Sequence, residues 1–307
     1  MSTGPATKAS PTAKEAPAVA RIAAGVDGYL EGRDAAVLGA RIAHAVGAEL
    51  MLVAVHPDPL IVLPPETGWK AMHGQAEAVL RETRDTLAPG ARVTVETGWS
   101  VPRALERVVK RDHRDLLVVG SSRNAADGEV RIGKRTRQLL CHSQSALAVA
   151  PRGLSERSQQ RLARVGVGYD GSAESDAALT LAGGLARAAG AKLLVRGVVD
   201  DRMPRVGWTG LGGALVAADW NELIEREVAS LHRQASRAAE KAGTGAEVEI
   251  EKGRPADALL KLSGDIDLLV IGSRRWGAVA RLILGSTGEA LMHGANCPVL
   301  VVPRPQQ

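Results

Sequence analysis

The 307-residue chain contains no phenylalanine and only two tyrosines, Tyr29 and Tyr169. Its core therefore has to be built from Ala, Val and Leu, which suits buried parallel strands covered by Ala-rich helices. Cysteine is nearly absent. Cys141 and Cys297 alone are too few for a disulfide framework or a thiolate metal site, and they fit a reducing compartment. No apolar run approaches the ~18 residues that a membrane span requires. The first 18 residues are Ser, Thr, Pro and Ala with three charges, and they lack the apolar centre of a secretory signal. They read as a disordered tail, and the chain as cytoplasmic. A dense patch of one charge is also lacking. The net charge is +5, with 18 basic against 15 acidic side chains over residues 18–152 and 17 of each over residues 164–307. With stacking aromatics almost missing, this argues against a nucleic-acid surface. The chain has no Gly-x-Ser-x-Gly elbow, no His-Glu-x-x-His and no Cys-x-x-Cys, so those routes to catalysis have no residues to run them.

What the chain does have is an internal repeat. Ala20–Gly28 lines up with Arg164–Gly171, both apolar runs ending in Asp-Gly, and each is followed by an Ala-rich segment of helical period. Ala48–Val55 matches Ala191–Val198, and Arg92–Gly98 matches Glu247–Gly253. Asp115-Leu-Leu-Val-Val-Gly120-Ser121 matches Asp267-Leu-Leu-Val-Ile-Gly272-Ser273, and Ala146–Arg152 matches Pro298–Arg304. Five matches in order give two copies of β-α-β-α-β-α-β-α-β. Strands alternating with helices imply right-handed crossovers and a parallel sheet covered on both faces. We therefore expect two tandem Rossmann-like domains, residues 19–152 and 164–304, joined by a polar linker at 153–163. Each should hold a five-stranded parallel sheet, with the last strands Ala146–Ala150 and Pro298–Val302 paired edge to edge about an approximate two-fold axis. A homodimer of the whole chain stays open. Residues 202–220, with Pro204 and four glycines, and the prolines between Pro57 and Pro65 are expected to form loops on the rim of the ligand crevice. In such sheets that crevice lies beyond the carboxyl ends of the strands, where strand order reverses.

The carboxyl ends supply the candidates: Asp27, Val55 and Gly120 in the first half, and Asp170, Val198 and Gly272 in the second. Gly285-Ser286-Thr287 precedes a helical segment. Ser286, three residues before Glu289, has capping-box spacing and is expected to be its N-cap. A helix N-terminus with a glycine before it favours phosphate. Taken alone, it is more often the form of an ordinary helix start. Two other spellings fail on context. Gly166-x-Gly168-x-x-Gly171 places its first glycines inside a strand, and Gly128-x4-Gly133-Lys134 lacks the Ser/Thr that would hold magnesium.

The second half reads Gly272-x2-Arg275-x9-Gly285-Ser286 after an Asp170-closed first strand, and ends in Ala295-Asn-Cys-Pro298-Val-Leu-Val-Val. This resembles the universal stress protein family, whose mark is Gly-x2-Gly-x9-Gly-Ser/Thr, and the likeness covers both halves. The resemblance implies a crevice for ATP, alone or with Mg2+, in a regulatory stress-response protein. Asp170 would lie towards the ribose, Val198 towards the adenine, and Gly272, Gly285, Ser286 and Thr287 around the phosphates. Asp27, Val55, Gly120, Gly133 and Lys134 are their counterparts in the first half. Arg275 and Arg123 stand where ATP-binding members have their second glycine, and each either fills the phosphate crevice or binds phosphate. Lys134 replaces the Ser/Thr, and Arg131, Lys134, Arg135 and Arg137 crowd a helix start. That arrangement opposes the macrodipole unless an anion is bound. On motif completeness the second half is the expected stronger nucleotide site. A non-nucleotide interaction module of the same fold, or a slow nucleotide hydrolase, is the alternative.

Overall fold

The computed structural model describes residues 19–56, 68–143, 145–157, 161–202, 211–243, 245–273 and 284–303. The first half runs β1 (Arg21–Gly25), α1 (Leu30–Val46), β2 (Glu49–His56), α2 (Gly68–Leu87), β3 (Arg92–Thr97), α3 (Val101–Arg111), β4 (Leu116–Gly120), α4 (Lys134–His142) and β5 (Ala146–Ala150). The second runs β6 (Arg164–Tyr169), α5 (Ala173–Ala189), β7 (Lys192–Val199), α6 (Leu211–Lys241), β8 (Glu247–Lys252), α7 (Pro255–Ser263), β9 (Leu268–Gly272), α8 (Ser286–Leu291) and β10 (Val299–Val302).

The ten strands form one sheet in the order β3-β2-β1-β4-β5-β10-β9-β6-β7-β8. Each half is a five-stranded parallel sheet, and β5 meets β10 antiparallel with Val149 opposite Val299, Ala148 opposite Leu300 and Leu147 opposite Val301. Ala148 and Leu300 are equivalent positions of the repeat, so the register is that of a two-fold axis through this pair. The expected edge pairing is therefore a continuous backbone ladder.

Apolar side chains alternate between the faces, as period-2 strands require. Leu50, Leu52, Ala148, Val165, Val167 and Leu300 share one core with α1, α2, α5 and α6. Met51, Val53, Leu117, Leu147, Leu269 and Val299 share the other with α3, α4, α7 and α8. Both cores run through the seam. The start of each inner strand is fixed the same way twice. Asp115 accepts from the backbone N–H groups of Ala20 and Arg21, and Asp267 from those of Ala163 and Arg164, all at 2.8–2.9 Å. These are the aspartates that open the best-matched segment of the repeat.

Two expectations change. Residues 211–220 belong to α6 rather than to a rim loop. Leu211, Ala214, Leu215 and Ala218 carry a helical period through two glycines. The linker is also partly built into the core. Gly153 and Ser155 donate to the buried carboxylate of Asp34 on α1, while Leu154 and Leu162 are buried.

Candidate functional site

In each half the sheet reverses strand order between its first and fourth strands, β1/β4 and β6/β9. Beyond β1 the chain turns through Asp27-Gly28 into α1. Gly28 has φ of +77°, and its counterpart Gly171 has +78°, a left-handed conformation that favours glycine. The side chain of Asp27 accepts from the Tyr29 N–H, and Asp170 accepts from the N–H and hydroxyl of Ser172. Gly120 and Gly272 end β4 and β9 against the first turns of α1 and α5. A methyl group on Gly120 would overlap the Glu31 carbonyl oxygen and come within 2.6 Å of its carbon. On Gly272 it would lie 2.5 Å from the carbonyl oxygen of Glu174. These two glycines are thus demanded by helix–strand approach. Gly133 differs: a methyl group there meets only Ser122, at 3.8 Å, on the crevice side.

The first-half crevice has a volume of about 760 Å³. Asp27, Val55, Gly120, Arg123, Gly133 and Lys134 all line it, together with Ser122, Arg135 and Thr136. Gly133 is the N-cap of α4, with Lys134 at its first position, so the helix N-terminus opens into the cavity. The volume lies within the ~300–1,000 Å³ of typical ligand sites. The Arg123 guanidinium lies over the Tyr29 ring, 3.7 Å from its centroid, and its Nε is 3.8 Å from Glu31. Arg152 reaches the same carboxylate at 3.7 Å and donates to the Arg123 carbonyl. Tyr29, Glu31, Ser122 and Arg152 are thus further members of the site. Glu31 and Glu174 hold the same place in both repeats, four residues past the aspartate, and this spacing is the signal that could have found them.

The second-half cavity measures about 220 Å³ and is lined by Asp170, Val198, Gly272, Gly285 and Thr287. Arg196 also lines it, where the first half has Val53, and it pairs with Glu249 and Glu251. Arg275 lies outside the described residues. Ser286 is the first residue of α8 and makes no capping bond. Gly285 is the N-cap, and its carbonyl accepts from the Glu289 N–H at 2.9 Å. The capping box does not form because the helix starts one residue earlier than that spacing requires, which puts Glu289 at N4, and its carboxylate pairs with Arg137 at 2.5 and 2.9 Å.

Doubly wound sheets, a crevice at each switch point and a helix N-terminus opening into the first define a duplicated doubly wound α/β protein. The Universal stress protein family model matches residues 19–151 and 162–303. The chain belongs to that family. Among its relatives, a universal stress protein of Mycolicibacterium smegmatis is 33% identical over 138 residues, 44% of this chain and 46% of the relative. One of Thermus aquaticus is 33% identical over 137 residues, 44% of this chain and 93% of the relative. The alignment thus spans about half the length of the mycobacterial relative. The crystal structure of a universal stress protein from Archaeoglobus fulgidus superposes with a TM-score of 0.66 at 22% identity, covering 93% of this chain and 98% of the other. That likeness speaks to the fold. No helix among the described residues is long and apolar enough to cross a membrane.

Proposed function

We propose that this protein binds an adenine nucleotide, ATP in the first instance, in the crevice of its first half, and acts as a regulator rather than a turnover enzyme. The observation that carries this reading is the single open cavity that gathers Asp27, Val55, Gly133, Lys134 and Arg123 at the amino end of α4. Phosphate is the ligand that turns the cation cluster from a liability into an asset. Lys134, Arg135 and the α4 dipole all favour an anion, and Gly133 leaves room for one to approach the backbone. Val55 and Val53 offer an apolar wall for a base. Motif completeness favours the second half, whereas volume and the Arg196 network support the first, where the crevice has room for a nucleotide. The regulatory reading is supported by what the crevice offers for chemistry. Among the described residues that line it there is no histidine or cysteine, and the Ser121 hydroxyl is engaged with the Ala150 carbonyl at 2.7 Å. Cytoplasmic location and a stress-linked role belong to the same proposal and rest on family membership.

Isothermal titration of the full chain with ATP, AMP and cAMP tests it. Saturable binding to wild type is expected. Arg123→Ala should weaken ATP by roughly ten- to a hundredfold, the loss of one charge-assisted hydrogen bond. Absence of binding by all three nucleotides would overturn the reading. Binding that Arg123→Ala leaves unchanged would mean that Arg123 stays on Tyr29 and takes no part.

A further inference from the structure

Where two copies of one domain meet about a two-fold axis, residues near the axis face their own equivalents. In this chain the residues at those places are unlike, and unlike in complementary ways. On the face covered by α1 and α5, the pair on the axis is Ala148 opposite Leu300, a small side chain against a large one, both fully buried. On the other face, α4 presents Arg137 and α8 presents Glu289 at the equivalent position. The guanidinium grips the carboxylate with two bonds, and His293 lies 3.2 Å from the same guanidinium. The Glu289 carboxylate raises the pKa of Arg137, as a paired anion should.

We infer that the seam is a mutually selective interface, in which each half accepts the other and rejects a copy of itself. Two first halves would oppose Arg137 to Arg137 and leave a gap at Ala148 against Ala148. Two second halves would oppose Glu289 to Glu289 and crowd Leu300 against Leu300. Charge and volume, on opposite faces of the sheet, make the same choice. The partner this surface fits is the unlike half, so the two crevices are held one of each kind in every assembled unit.

Self-pairing can be imitated inside the full chain. Glu289→Arg with Leu300→Ala gives the seam of two first halves, and Arg137→Glu with Ala148→Leu gives that of two second halves. The four changes together exchange the partners and restore both complementarities. Scanning calorimetry, with molar mass by light scattering, reads the result. Each double variant should lose on the order of 10 °C in thermal midpoint or fail to fold. The quadruple variant should fold as a monomer and recover most of the loss. Double variants as stable as wild type would overturn the inference. So would a quadruple variant no better than the doubles, including one that also fails to fold.

Discussion

Replacing Gly133 by valine and, separately, Gly120 by alanine divides the two duties that glycine performs around the first crevice. At Gly120 the added carbon overlaps backbone atoms of Glu31, which no rotamer change can relieve, so α1 has to shift. Overpacking of this kind costs about 1–3 kcal/mol, and unfolded-state entropy returns only about 0.4–1 kcal/mol. At roughly 2–4 °C per kcal/mol, the thermal midpoint should drop by several degrees. At Gly133 the nearest atoms stand 3.8 Å away, and φ is −95°, which any residue adopts. Valine there loses about 1 kcal/mol as an N-cap and regains about half of that or more from the unfolded state. Its branched side chain stands where a phosphate would meet the α4 N-terminus. ATP affinity should fall at least tenfold, the worth of one lost charge-assisted bond. Calorimetric melting and ATP titration of the two variants give a crossed pattern: Gly120→Ala melts early, and Gly133→Val melts close to wild type but binds poorly. Wild-type ATP affinity in Gly133→Val would refute the placement of the phosphates. An unshifted midpoint in Gly120→Ala would refute the helix-approach account of that glycine.

Two further expectations concern groups away from the crevice. Burial of Asp34 outweighs the donors from Ser155 and Gly153 and raises its pKa above the ordinary 3.8. A carboxyl raised in the fold favours the native state below its unfolded value, and that contribution is lost as pH rises through the folded one. The stability of wild type relative to Asp34→Asn should therefore decline from acid towards neutral pH in urea titrations, and a rise would reverse the assignment. Cys297 is buried and its thiol is pushed up by desolvation, while Cys141 is only partly covered. Iodoacetamide on the native protein should label Cys141 and spare Cys297, and equal labelling by peptide mass spectrometry would contradict the burial argument.

The repeat was legible because its best-matched segment carries three constraints at once. Asp115 and Asp267 anchor a neighbouring strand, the apolar run is buried on both sides, and Gly120 and Gly272 admit a helix. Each constraint is local enough to leave its mark in residue type. The same glycines also show that one residue type can answer two demands. Their place in a phosphate-type signature puts them at the crevices, which they line, and α1 and α5 independently require them. Ser286 was out of reach for a different reason. The helix starts at Ser286 with Gly285 as its N-cap, one residue before the spacing implies, and Glu289 bonds Arg137, 152 positions earlier in the chain. Arg123 was found as a departure from pattern, but its resting place over Tyr29 depends on a turn that brings residues 94 positions apart together.

The antiparallel meeting of β5 and β10 has one more consequence. Within each half all strands run one way, so the two halves point their strand tips in opposite directions along a single sheet. The two crevices therefore open at opposite ends of the molecule. Among the described residues, the two ends are joined by the shared ladder, the cores on either side of it and the Arg137–Glu289 pair. The repeat thus gives a two-ended object with its crevices back to back.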